Sequence, residues 1–221
     1  MLRNTSLFFF FVIITTAACK NDSAPPAPQN NPAIAQTTPN TPPSGTITYT
    51  VTSGTVFWSG KKTIGDSHEG TITVSSGELV VTNGNLERGK IVLDMHSLAV
   101  TSIKDGGEKR DLESHLKDVD FFEVNKFPTA EFAFNEVLPS NTQDFSQVAS
   151  GELTIKGKTN GLNIPVTMKV SGDELTVRSP SFSINRTKWG ITFRSGMLGT
   201  VKDKLIEDTV LLTFKLTAKR S

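Results

Sequence analysis

The sequence predicts an all-β protein: an antiparallel sheet of about eight strands closed into a barrel, with one short amphipathic helix. Three observations predict it. From Thr46 onward apolar and polar residues alternate with a period of two. Turn-forming pairs recur at short spacing. A single stretch, from Glu108 to Val119, changes to helical spacing.

The N-terminus comes first and does not belong to the sheet. Arg3 precedes an unbroken apolar run from Leu7 to Ile14, followed by two threonines, two alanines and Cys19. A bilayer-spanning helix needs about 20 apolar residues, so the run is too short to span. It fits the core of a signal peptide, residues 1–18. Cys19 is the one cysteine in the chain. An intramolecular disulfide is therefore impossible, and the position, directly after small residues, resembles a bacterial lipobox with Thr16 where that motif prefers Leu. The expectation is an exported cell-envelope lipoprotein anchored to a membrane through acylated Cys19. From Cys19 to Gly45 the chain is rich in Pro, Asn, Ser and Thr and has almost nothing to bury, which predicts a disordered tether.

The remaining residues, 46–219, are expected to form the folded domain. Leu162, Ile164, Val166, Met168 and Val170 alternate with Asn163, Pro165, Thr167 and Lys169. Val210, Leu212, Phe214 and Leu216 do the same near the end, as do Ile91, Leu93 and Met95, and Phe132 and Phe134. Each run has one dry face and one mostly wet face. Turns are expected at Ser76-Gly77, Asn83-Gly84, Lys156-Gly157, Asn160-Gly161 and Ser171-Gly172. In the helical stretch, Leu112, Leu116 and Val119 share a face, Gly106-Gly107 marks a loop before it, and Pro128 bars continuation beyond it. One helix cannot cover so large a sheet; closing the sheet on itself removes its edges.

Composition excludes some functions. Charged residues make up 20% of the chain. Loss of Arg3 with the leader leaves 22 basic against 22 acidic residues, with no excess to neutralise phosphates, so no nucleic-acid partner is expected. No Gly-x-Ser-x-Gly elbow occurs, and no glycine-rich loop opens a helix. Glu207 and Asp208, adjacent on an expected strand, would face opposite ways. His68, His96 and His115 are too scattered for a metal motif. The sequence therefore points away from an enzyme and from any metal or other cofactor.

Several segments resemble one family. The run HLKDVDFFEVNKFPTAEF, from His115 to Phe132, is similar to the hallmark of the YceI-like, polyisoprenoid-binding proteins. GELTIKG from Gly151 and FSINRTKWGI from Phe182 resemble its two later motifs, in the expected order. Asp94-Met95 and the segment from Val201 to Asp203 also fit, while Trp189 stands where the family more often has Phe or Tyr. The resemblance spans about Tyr49 to Ala218. It implies a lipocalin-like barrel with a helix near its mouth, an elongated apolar interior, and a long-chain isoprenoid or other amphiphilic lipid as ligand.

The candidate interior residues are Leu93, Phe132 and Phe134, then Val166 and Met168, then Phe182, Ile184, Leu212 and Phe214. Alternation alone leaves two readings open, a solid core or a chain-binding tunnel, because it identifies a dry face without saying whether that face is hollow. A solid core would make the chain a lipid-anchored β-domain that interacts with other proteins. His115, on the expected helix, and Arg186 are candidates to meet a polar head group. The competing reading makes His115 a structural hydrogen-bonder and Arg186 half of an ion pair, with Asp120 or Asp203. Trp58 is expected to pack at a barrel end.

Overall fold

The computed structural model describes residues 44–140, 142–196 and 204–221. The expected leader, Cys19, the tether as far as Pro43, and the Val201–Asp203 motif lie outside them.

Three long strands begin the fold: β1 (Thr46–Lys61), β2 (Ser67–Thr82) and β3 (Asn85–Val100). The helix α1 (Gly106–Lys117) follows, then β4 (Thr129–Pro139), β5 (Gln147–Ile155), β6 (Lys158–Ser171), β7 (Glu174–Arg178), β8 (Phe182–Asn185) and β9 (Thr209–Arg220). Neighbours pair antiparallel in chain order as far as β7, which pairs with β9, and β9 pairs back onto β1. The sheet closes, as the alternation and the single helix require.

Nine strands fill eight positions around the barrel, because β7 and β8 lie end to end along the same side of β9. Pro180 separates them and has no N–H for a ladder. Ser179 bridges the break: its N–H donates to Phe214 O at 3.1 Å, and its hydroxyl accepts from Phe214 N at 3.0 Å. β6 pairs with β7 only from Thr167 to Ser171. Among the described residues, no backbone hydrogen bond joins the first part of β6 to β8. Pro165, which has no N–H, lies on β6 along this seam.

Three expected turns are in place. Asn83-Gly84 and Lys156-Gly157 each hold two successive positive φ angles, 49° and 79° in the first and 49° and 70° in the second. That is the type I′ geometry suited to a two-residue hairpin. Gly172, φ 59°, turns the chain from β6 to β7. The other two expected turns are corrected: Ser76-Gly77 lies inside β2 and Asn160-Gly161 inside β6. Gly77 serves packing, since a Cβ there would stand 2.8 Å from Ile91 Cδ1 and 2.9 Å from a Val51 methyl. The helix also begins earlier than its apolar spacing suggests. Asp105 caps it, accepting from the N–H groups of Gly107 and Glu108 at 2.8 and 2.9 Å, so the expected loop glycines form its first turn.

Inward-facing side chains plug one end of the barrel. Tyr49, Val81, Leu175 and Ala218 are buried there almost completely. The other end carries α1, the 3₁₀ turn Arg186–Trp189 and the segment leading into β9.

Candidate functional site

Between the plug and α1 the barrel is hollow. The cavity holds about 420 Å³, within the roughly 300–1,000 Å³ range of small-molecule sites. Its deep part is walled by Leu79, Ile91, Phe134, Ile164, Val166 and Leu216. Nearer the opening come Met95, Phe132, Leu153, Leu162, Ile184 and Trp189. Phe132 and Phe134, on the inward face of β4, stack at 5.6 Å between ring centroids, tilted by 22°. A wall of this kind offers a guest dispersion contact along its length and almost no hydrogen bonding.

The helix covers part of the opening with Leu112, His115 and Leu116. Glu113 pins it to the end of β3 by accepting from Val100 N at 2.8 Å. His115 stands edge-on to Phe121 and Phe193, at 5.1 and 4.9 Å. Its Nε2 lies 3.3 Å from Asp120 Oδ2. The imidazole thus joins the aromatic rim of the opening and meets a carboxylate at its outer edge.

Arg186 lines the cavity yet is engaged by the protein. Nε donates to Glu207 O at 3.1 Å, Nη1 to Ile191 O at 2.8 Å, and Nη2 to Ile206 O at 3.0 Å and Asp208 Oδ1 at 3.2 Å. The other Asp208 oxygen accepts from Ser195 Oγ at 2.9 Å. Burial pulls the guanidinium below its usual pKa, and the Asp208 charge works against that fall. The partner is Asp208, neither of the two suggested from sequence: Asp120 meets His115, and Asp203 lies outside the described residues. Arg186 therefore staples three passages of chain at the mouth: the 3₁₀ turn, the residues just after it, and the approach to β9.

The structure brings together, on the cavity wall, Leu93, Phe132, Phe134, Val166, Phe182, Ile184, Leu212 and Phe214. Met168, one step beyond Val166 on the same face, packs against the buried cluster of the plug instead. Trp58 belongs to the wall near the opening. Its ring lies against Gly70, where a Cβ would come within 2.5 Å of it. Its Nε1 is buried without a partner among the described residues, whereas Trp189 Nε1 donates to Leu153 O at 2.8 Å. Sequence reading missed the rim residues Gly60, Lys62 and His68. The signal was present in Val56, Trp58 and Gly60, whose alternation resumes with the opposite parity after the irregularity between Val51 and Ser53 and carries the dry face of β1 up to the mouth.

A closed antiparallel barrel, plugged at one end, hollow beyond it and covered by a helix at the other, is a lipocalin-like fold. The chain belongs to the YceI-like domain family, whose model matches residues 48–218. Among solved structures it is similar to BcnA of Burkholderia cenocepacia, with 20% identity, a TM-score of 0.59, and coverage of 75% of this chain and 96% of that one. It is similar also to a polyisoprenoid binding domain from Saccharophagus degradans implicated in plant cell wall breakdown, with 13% identity, a TM-score of 0.55, and coverage of 79% and 99%. At these identities the likeness is one of fold. No curated protein matches the sequence.

Proposed function

We propose that the protein binds a long-chain isoprenoid or other amphiphilic lipid in the bacterial envelope, and carries or sequesters it without chemical change. The observation that carries this reading is the cavity of about 420 Å³ with an apolar wall and a polar rim. Membership of the YceI-like family supports it, as does the polyisoprenoid binding domain among the relatives of the fold. Burial returns about 0.8 kcal/mol per CH₂, while association costs an estimated 4–15 kcal/mol. Short chains barely break even, so a tube of this kind favours long ones.

Apolar extraction of protein purified from its native host, followed by mass spectrometry, should release a chain lipid at close to one per protein. An empty extract, together with no uptake of added long-chain lipids, defeats the reading.

The envelope location rests on the leader and on Cys19, directly after Thr15-Thr16-Ala17-Ala18. Cys19→Ser should move the protein from the membrane to the soluble fraction and leave the melting temperature of the barrel unchanged. Sedimentation of the variant with membranes would exclude acylation as the anchor.

A further inference from the structure

The chain as a whole is nearly balanced, with a formal net charge of +1, yet its cations are not spread evenly over the outer wall of the barrel. Where β6, β7, β9 and β1 run side by side, Met168, Val177 and Leu216 face inward, so Lys169, Arg178 and Lys215 face out. Arg178 stands directly across the ladder from Lys215. Lys169 is the diagonal neighbour of Arg178, two positions on from its partner Thr167. All three are exposed. None forms an ion pair among the described residues. The outward positions around them carry threonine, at Thr55, Thr167, Thr176 and Thr217, and Glu174, on the same face of β7, stands opposite Lys219. Like charges directly opposed destabilise a sheet, so the isolated domain gains nothing from this arrangement.

The same wall exposes hydrocarbon. Phe57 is 47% exposed and Leu211 48%. Single exposed apolar residues are ordinary, but these two are diagonal neighbours, because Phe57 pairs with Thr213 and Leu211 with Ser59. Lys215 pairs with Thr55 and is the diagonal neighbour of Phe57 on its other side. A continuous strip therefore runs along the wall from Lys169 through Arg178 and Lys215 to Phe57 and Leu211. None of these five residues lines the cavity.

We propose that this strip is a docking face for an anionic bilayer surface, against which the barrel rests on its flank. The three cations meet lipid head groups, which offsets the opposition of Arg178 and Lys215, and Phe57 and Leu211 enter the interface beside them. Both parts are needed to specify a membrane. Cations alone suit any polyanion, whereas an exposed apolar pair gains only where there is hydrocarbon to enter. The inference goes beyond the lipid-binding reading and holds whatever the cavity contains.

The test uses Cys19→Ser chains purified from the soluble fraction, so that any N-terminal contribution is common to all of them. They are sedimented with vesicles of phosphatidylcholine alone or mixed equally with phosphatidylglycerol. At low salt the parent chain should bind the mixed vesicles about tenfold more tightly than the neutral ones, an advantage that falls as salt is added. Lys169→Gln/Arg178→Gln/Lys215→Gln should lose at least about tenfold on the mixed vesicles, and should melt no lower, since it removes a like-charge pair. Phe57→Ser/Leu211→Ser should lose about fivefold on the mixed vesicles and nothing on dextran sulfate, a polyanion without acyl chains. Arg88→Gln/Lys90→Gln, which removes two cations from β3 and leaves the strip intact, should bind as the parent does. Equal affinity for neutral and mixed vesicles overturns the proposal, and so does an equal loss in the β3 variant and the strip variant. An apolar variant that binds mixed vesicles unchanged also overturns it, and makes the strip a general polyanion site.

Discussion

Arg186→Ala should destabilise the barrel by about 3–5 kcal/mol, the range for removing one member of a buried, hydrogen-bonded ion pair. The Arg186 side chain is 5% exposed and makes four hydrogen bonds, three of them to the carbonyls of Ile191, Ile206 and Glu207. Truncation leaves those acceptors and one Asp208 oxygen without their donor, and alanine offers nothing in exchange. For a domain of this size each kcal/mol shifts the midpoint by about 2–4 °C, so thermal unfolding should begin about 10 °C lower. Arg186→Lys should fall between the two, because an ammonium cannot span the positions that the guanidinium fork reaches. A variant that melts with the wild type but loses affinity only for polar-headed lipids would assign Arg186 to the ligand rather than to the wall.

The second large effect is expected deep in the cavity. Val166 is 2% exposed, on the inward face of β6, and lines the hollow side of the barrel. Val166→Phe in a filled interior would cost about 1–3 kcal/mol from overpacking. Beside an open volume the ring has somewhere to go, so the ligand-free protein should melt within about 2 °C of wild type, less than 1 kcal/mol. Geranylgeraniol should lose at least about tenfold in affinity, or 1.4 kcal/mol, because the ring occupies the space of the chain. Calorimetry on the two proteins decides it. Marked destabilisation with no change in lipid uptake would mean that the interior is packed and that the lipid, if bound, lies elsewhere.

The strands were legible because their signal is local. The alternation from Leu162 to Val170 is β6, that from Val210 to Leu216 is β9, and the type I′ pairs Asn83-Gly84 and Lys156-Gly157 are hairpins. Gly77 and Gly161 misled for a definite reason: a glycine that makes room for a neighbouring side chain or sits quietly in a ladder has the same letter as one that turns the chain. The hollow was not legible. Phe134 and Tyr49 both face inward at the same period of two, yet one borders open space and the other belongs to the plug. The difference depends on what stands across the barrel, a distance that no single strand encodes. The staple at the mouth was hidden likewise, since Arg186 and Asp208 lie 22 residues apart on opposite sides of the turn into β9.

The incomplete joint between β6 and β8 makes the tube unequal around its circumference. Along most of the other strand pairs, widening the bore means parting a ladder of backbone hydrogen bonds. Along this joint Leu162, Ile164, Phe182 and Ile184 stand at the cavity surface, and parting them separates side chains only. That flank is therefore held less firmly than the laddered ones. Any force that widened the bore would meet least resistance on that flank, where apolar side chains and not backbone groups would be parted.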